Sequence, residues 1–206
     1  MDQIYARSAT IGRRALLGAA AACLLPIPAL DAATAAGLVE TVVGQGFAES
    51  AAVRRDLLPR SDIFIGDLVG TGTQSRLTLR LGAATQLKLG AEARVRIDRF
   101  IANAGGVLEL QGGTMLFDGA AQTGRGISVR SPFALIAVRG TRFFAGPSND
   151  VFGVFVARGR VRVTAAGRSI VLAPGMGTNI AYPGAPPSDP AKWGESRIQR
   201  ALASVQ

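Results

Sequence analysis

The chain is 206 residues long, 48% hydrophobic and 18% charged, with 26 glycines and only 6% aromatic residues. That is enough apolar material for a sizeable core and too much for a disordered chain, and the length suits one domain with extensions. It has no histidine, a single cysteine (Cys23) and a net charge of +9, so downstream of Cys23 an imidazole base, a thiolate nucleophile and soft metal ligands are excluded.

Apart from Lys88 and Lys192, every basic residue is arginine. Such an excess marks an anionic partner (nucleic acid, a phosphate-bearing lipid surface or an acidic polymer), or else a genome rich in arginine codons. The arginines stand singly rather than in runs, which favours the second account.

Residues 1–36 read as an export signal. Arg13-Arg14 precede an apolar stretch from Ala15 to Leu30, and small residues follow at Ala33, Ala35 and Ala36. A positive start, an apolar middle and an A-x-A-like end make a secretory leader, here of twin-arginine character, cleaved near Ala36. Pro26 and Pro28 interrupt the apolar run, which argues against a membrane anchor. Lipidation at Cys23 is disfavoured because Leu24-Leu25 continue the run past it. No later segment is apolar enough for a transmembrane helix, so a periplasmic location is expected.

From Val39 to Ile180 apolar and polar residues alternate with period two. Arg76–Leu81, Gln86–Leu89, Arg94–Asp98, Val107–Leu110 and Arg160–Thr164 each read as a strand with one buried and one wet face. Glycine-bearing turns separate them at short intervals, as in a sandwich, barrel or short solenoid. Arg76, Arg80, Arg94, Arg96, Arg160 and Arg162 all fall on the polar phase. They form either a solvated face that discourages edge pairing or a basic surface for an anionic partner.

Residues 131–146 stand out. An apolar run from Phe133 to Val138 meets Arg139-Gly140-Thr141, returns to Phe143 and Phe144, and stops at Gly146-Pro147. This predicts a strand, a bend or bulge at Gly140, and a second strand. Arg139 is expected to hold carbonyls around the bend and to pair a carboxylate such as Asp118 or Asp67. Thr141 is expected to cap the turn with its hydroxyl. Of Phe143 and Phe144, one should be core and the other less buried. Residues 183–190 then read as a stiff polar linker. Asp189 and Pro190 are expected to start an amphipathic helix that docks back through Trp193, Ile198, Ala201, Leu202 and Val205.

The order of these signals resembles the FecR domain of bacterial envelope proteins. The segments carrying it are I-x-x-G-D-L-V-x-T-G-x-x-S-R-L-T-L-R-L at 63–81, GGTMLFD at 112–118, SVRSPFALIAVRGTRFF at 128–144 and VFVARGRVRV at 154–163. The V-R-G-T-x-F core and the following G-x-V-x-V, led by Gly159, are the most telling pieces. Gly82-Ala83 depart from the Asp-Gly that similar chains often carry at that turn. Full-length regulators of the family join a cytoplasmic anti-sigma segment and a transmembrane helix to this domain; here a leader occupies their place, so sigma-factor control is not carried over.

The fold expected is all-β, with two packed antiparallel-rich sheets in a sandwich or short solenoid-like roll and a short C-terminal helix. The domains are the leader (1–36), the β domain (37–182), and the linker and helix (183–206). The resemblance implies a non-catalytic, exported interaction or envelope-signalling module, with Arg139, Gly140, Thr141, Phe143 and Gly159 as structural or partner-binding candidates. Its partner would be an envelope protein, such as an outer- or inner-membrane signalling component. Neither nucleic acid nor a cofactor is expected, and a bound metal is not expected because Asp62, Asp67, Asp118 and Asp150 lack calcium-loop spacing. The alternative function is a cell-wall or carbohydrate binding module whose basic face meets an anionic polymer. An enzyme would need paired carboxylates or a Ser-Lys motif, and neither lysine lies in one.

Overall fold

The computed structural model describes residues 34–101, 105–120 and 126–206. Arg13, Arg14 and most of the expected leader lie outside them.

The described chain is wound between two sheets. It lays down β1 (Ala35–Val43) in sheet A, then β2 (Gly46–Ser50) and β3 (Val53–Asp56) in sheet B. After β4 (Asp62–Phe64) in A and β5 (Leu68–Thr71) in B, a hairpin of β6 (Arg76–Leu81) and β7 (Thr85–Leu89) returns to A. Sheet B gains β8 (Arg94–Ile101) and β9 (Gly105–Gly112), sheet A gains β10 (Met115–Gly119), and sheet B gains β11 (Ile127–Arg130) and β12 (Leu135–Val138). Next come β13 (Arg142–Ser148) and β14 (Val151–Arg158) in A, and β15 (Val161–Ala165) and β16 (Arg168–Leu172) in B. Sheet A closes with β17 (Met176–Ile180) and β18 (Ala191–Lys192), followed by the helix α1 (Glu195–Ala203).

Sheet A runs in space β4-β1-β6-β7-β10-β13-β14-β17-β18, and sheet B runs β3-β2-β5-β8-β9-β11-β12-β15-β16. Neighbours are antiparallel except β9 and β11. From β1 and β2 onward space therefore follows chain order, with β4 and β3 folded back outside them. The two topologies left open by the sequence are one object: a sandwich built by coiling strands and hairpins along its length.

The period-two pattern explains the layers. In β6, Leu77, Leu79 and Leu81 are buried while Arg76, Thr78 and Arg80 face outward. The inward side chains of both sheets form one core, in which Phe117 and Phe143 meet at 5.4 Å between ring centroids. Pro147 sits inside β13 rather than ending it, opposite Phe152. It is tolerated because the neighbouring strand β10 reaches only as far as Ala145, so no ladder bond is lost there.

The C-terminal segment differs from expectation. The helix begins five residues later than Pro190, with Gly194 at its N-cap, and Ala191–Lys192 pair as a strand instead. Asp189 is drawn away by Arg168, whose guanidinium contacts both Asp189 and the Pro187 carbonyl. The stretch 183–190 is not a free spacer, since Ala185 packs into the core. The docking itself is as expected: Trp193, Ala201 and Val205, with Ile198 and Leu202, cover Leu116, Phe144 and Phe155 on the outer face of sheet A.

This cover needs glycine beneath it. Trp193 lies so close to Gly177 and Gly153 that a Cβ on Gly153 would stand 2.7 Å from its Cη2. Arg197 stacks 3.6 Å above the indole and donates to Ser148 Oγ (3.0 Å) and Asn179 Oδ1 (2.8 Å). Burial, and after it Arg200, lowers the Arg197 pKa from its usual value. Trp193 is the only tryptophan, so its fluorescence reports the helix. Gly177→Val should shift its emission to the red and lower stability by about 1–3 kcal/mol, as overpacking does; unchanged emission and melting would refute the contact.

Candidate partner-binding surface

The Val138–Thr141 corner carries the chain from β12 in sheet B to β13 in sheet A. Gly140 turns it with φ of 64°, a conformation that other residues rarely adopt. Thr141 is fully buried, and its carbonyl accepts from the Gly119 N–H at 3.0 Å. Its Oγ1 has no hydrogen-bond partner among the described residues, so the hydroxyl cap expected from sequence does not form. The methyl does the packing instead. Gly159, with φ of 83°, makes the return corner from β14 to β15, and a Cβ there would lie 2.8 Å from Thr141 Cγ2 and 2.7 Å from the Gly140 carbonyl oxygen.

Phe143 points into the core and Phe144 points out of sheet A, yet both are fully buried. Sequence alternation gave the opposite faces correctly; the burial of Phe144 comes from Trp193, 6.4 Å away. Upstream, the strand begins at Leu135 rather than Phe133. Ser131 Oγ accepts from the Phe133 and Ala134 N–H groups (3.2 and 3.0 Å) and holds those residues in a turn.

Arg139 does not have the carboxylate partners expected of it. Asp118 is taken by Arg158 (2.7 Å) and Arg142 (3.6 Å), while Asp67 is taken by Arg55 and the Phe64 N–H (2.9 Å). Arg139 is exposed and makes no ion pair among the described residues. Behind it, Phe117, Ile127, Val138 and Gly140 line a pocket of about 20 Å³, room for about one water.

The arginines are divided between the two outer faces. On sheet A, Glu40, Arg80, Asp118, Arg142 and Arg158 neutralise one another across the strands. On sheet B, Arg54 lies 3.7 Å over the Phe47 ring and Arg96 pairs Glu109. The β12–β15–β16 end of sheet B is different. Arg162 stands opposite Ala137 and Val171 in the ladder, and Arg139 and Arg160 follow beside the next pair, Val138 and Val161. Together with Val171 these three arginines line a shallow open groove of about 470 Å³. Val171 is 48% exposed and Leu135 42%. Arg130 lies at the far side, opposite Glu109 in the register.

Alternation alone groups Arg160 and Arg162 with Arg76, Arg80, Arg94 and Arg96 and does not separate them. A signal was present: between Asp118 and Asp189 the chain has eight arginines and a single carboxylate, Asp150. Asp150 sits in the β13–β14 turn, at the opposite end of those strands from Arg139.

This coiled two-sheet sandwich, with matched corners and a helix on one face, defines a class of β domain. The FecR protein family model matches residues 67–162, so the chain contains a FecR domain. No curated protein matches the chain. Two crystal structures of a "putative anti-sigma factor" from Parabacteroides distasonis ATCC 8503, at 1.65 and 2.50 Å resolution, share the fold. Their identities are 17% and TM-scores 0.57 and 0.56, over 66% of this chain and 64% and 63% of theirs. The chain thus spans less than two thirds of those neighbours. Among the described residues no three His, Cys, Asp or Glu side chains group as metal ligands, and no helix is long and apolar enough to cross a membrane.

Gly159→Ala should cost at least about 1–3 kcal/mol, from the left-handed φ and the facing corner. Arg139→Lys should change stability by no more than about 0.5 kcal/mol, as an exposed substitution does. Thermal melting of the two variants tests both, and the reverse ranking would overturn the assignment.

Proposed function

We propose that this protein is an exported, non-catalytic interaction module of envelope signalling. The observation that carries the reading is the FecR match over 67–162 on a sandwich whose corners account for the family's most characteristic residues. The similarity to an anti-sigma protein supports a regulatory role, played through contact with an envelope partner such as a membrane signalling component. The lack of histidine, and of cysteine after Cys23, supports a role without catalysis.

Export rests on the leader, with Arg13 and Arg14 as its twin-arginine pair and the periplasm as destination. Ala36 lies buried inside β1, where its carbonyl accepts from the Gly82 N–H at 3.0 Å. That favours a cut ahead of Ala35, leaving β1 whole. N-terminal sequencing of the exported protein should find a terminus no later than Ala35, and replacing Arg13 and Arg14 by lysine should leave the precursor in the cytoplasm.

The interaction reading is tested by crosslinking in intact cells, followed by capture from envelope extract. A specific envelope protein should be recovered, and deletion should change an envelope stress or uptake response. Recovery of no partner, with unaltered responses, would remove the reading. Binding of an anionic cell-wall polymer is the second reading, drawn from Arg139, Arg160 and Arg162, which make no ion pair among the described residues. Salt-sensitive sedimentation with purified peptidoglycan would favour it.

A further inference from the structure

Two features coincide at one end of sheet B. The first is charge: Arg139, Arg160 and Arg162 share one groove and make no ion pair among the described residues. The second is an open ladder. β16 is an edge strand, paired on one side to β15. Ala166 and Gly167 form the two-residue turn between them with φ of 47° and 75°, the tight turn that makes Ala165 and Arg168 a hydrogen-bonded pair. Alternation then turns the backbone N–H and C=O groups of Ser169 and Val171 away from β15. Both residues are exposed, and no backbone hydrogen bond to either is made from outside the β15 ladder among the described residues.

The other edges are guarded. β3 carries Arg54, Arg55 and Asp56 along its four residues, while β4 has three residues and β18 two. Charge and shortness are the usual protections of a sheet edge. β16 has five residues; its one charge, Arg168 at the turn end, is taken by Asp189, and its other exposed residues are Ser169 and Val171.

We propose that an acidic, extended segment of a partner protein adds to the free edge of β16. Its backbone completes the ladder at Ser169 and Val171, an apolar side chain covers Val171, and its carboxylates face Arg162 across Val171, in the field of Arg160 and Arg139. Strand addition supplies affinity through main-chain bonds, while alternate side chains supply selectivity. Guanidinium forks suit carboxylates, and the uncompensated charge steers an acidic segment to this end. Only a polypeptide can use the open ladder. A polysaccharide or nucleic acid would gain from aromatic platforms, whereas the groove side chains are arginine, alanine and valine. The inference rests on the interaction-module reading and adds to it the address and the chemistry of the partner.

The test uses the full chain labelled with ¹⁵N and a synthetic peptide of alternating glutamate and valine as probe. The Ser169 and Val171 amides should shift and gain protection from hydrogen exchange, and added salt should weaken binding. Replacing Arg160 and Arg162 together by glutamate should weaken binding by at least about tenfold. Val171→Pro removes an outward N–H without breaking the β15 ladder and should abolish the protection at Ser169. If that variant fails to fold, the glutamate variants decide the question alone. Equal binding of a lysine–valine peptide would overturn the proposal. So would shifts on the arginine strands that leave Ser169 and Val171 unmoved and are reproduced by an anionic polysaccharide. Failure of the peptide while crosslinking still captures an envelope protein sinks this site alone. Loss of that capture sinks the interaction-module reading instead.

Discussion

Gly159 has no room for a Cβ because the Gly140–Thr141 corner lies directly against it. Each of these corners carries the chain from one sheet to the other, and their contact sets how far successive windings advance. Once the spacing is fixed, β12 and β15 become neighbours in sheet B, and β13 and β14 continue the hairpin in sheet A. The inward residues Val138, Phe143, Val156 and Val161 then meet in one core. A bulkier residue at either corner would force the windings apart and open that core.

The same packing leaves the sandwich asymmetric. One side of sheet A is sealed by α1, because Gly153 and Gly177 leave a flat floor on which Trp193 rests and Arg197 clamps it to Ser148 and Asn179. The remaining outer charges of sheet A are largely paired. At the β12–β15–β16 end of sheet B no carboxylate among the described residues pairs the arginines of the groove. The surface proposed for partner binding is therefore the face that the fold leaves uncovered, while Gly140, Thr141 and Gly159 are consumed in building the corner behind it.

Strands were legible wherever one face is buried and the other wet. Arg76–Leu81 was read with its observed bounds because leucine and polar residues alternate without interruption. Places where a distant element or a side chain overrides local pattern were not legible. Phe133 and Ala134 look like strand but are held in a turn by Ser131. Phe144 looks half-exposed but is roofed by a residue 49 positions later. Asp189 looks like a helix cap but pairs Arg168 across the sandwich. The carboxylates expected to pair Arg139 are occupied by other arginines, because the fold decides which guanidinium reaches Asp118 and Asp67.

By itself, then, the sequence determined the class of fold, the direction of the side chains along the alternating strands and the glycine corners. These are set locally, by steric limits on φ and by a period-two division between water and core. Only the tertiary structure decided which outer face is covered, which arginines find carboxylates and which edge remains open. Those outcomes depend on residues far apart in the chain being brought within a few ångströms, and the coiling of the sandwich does that.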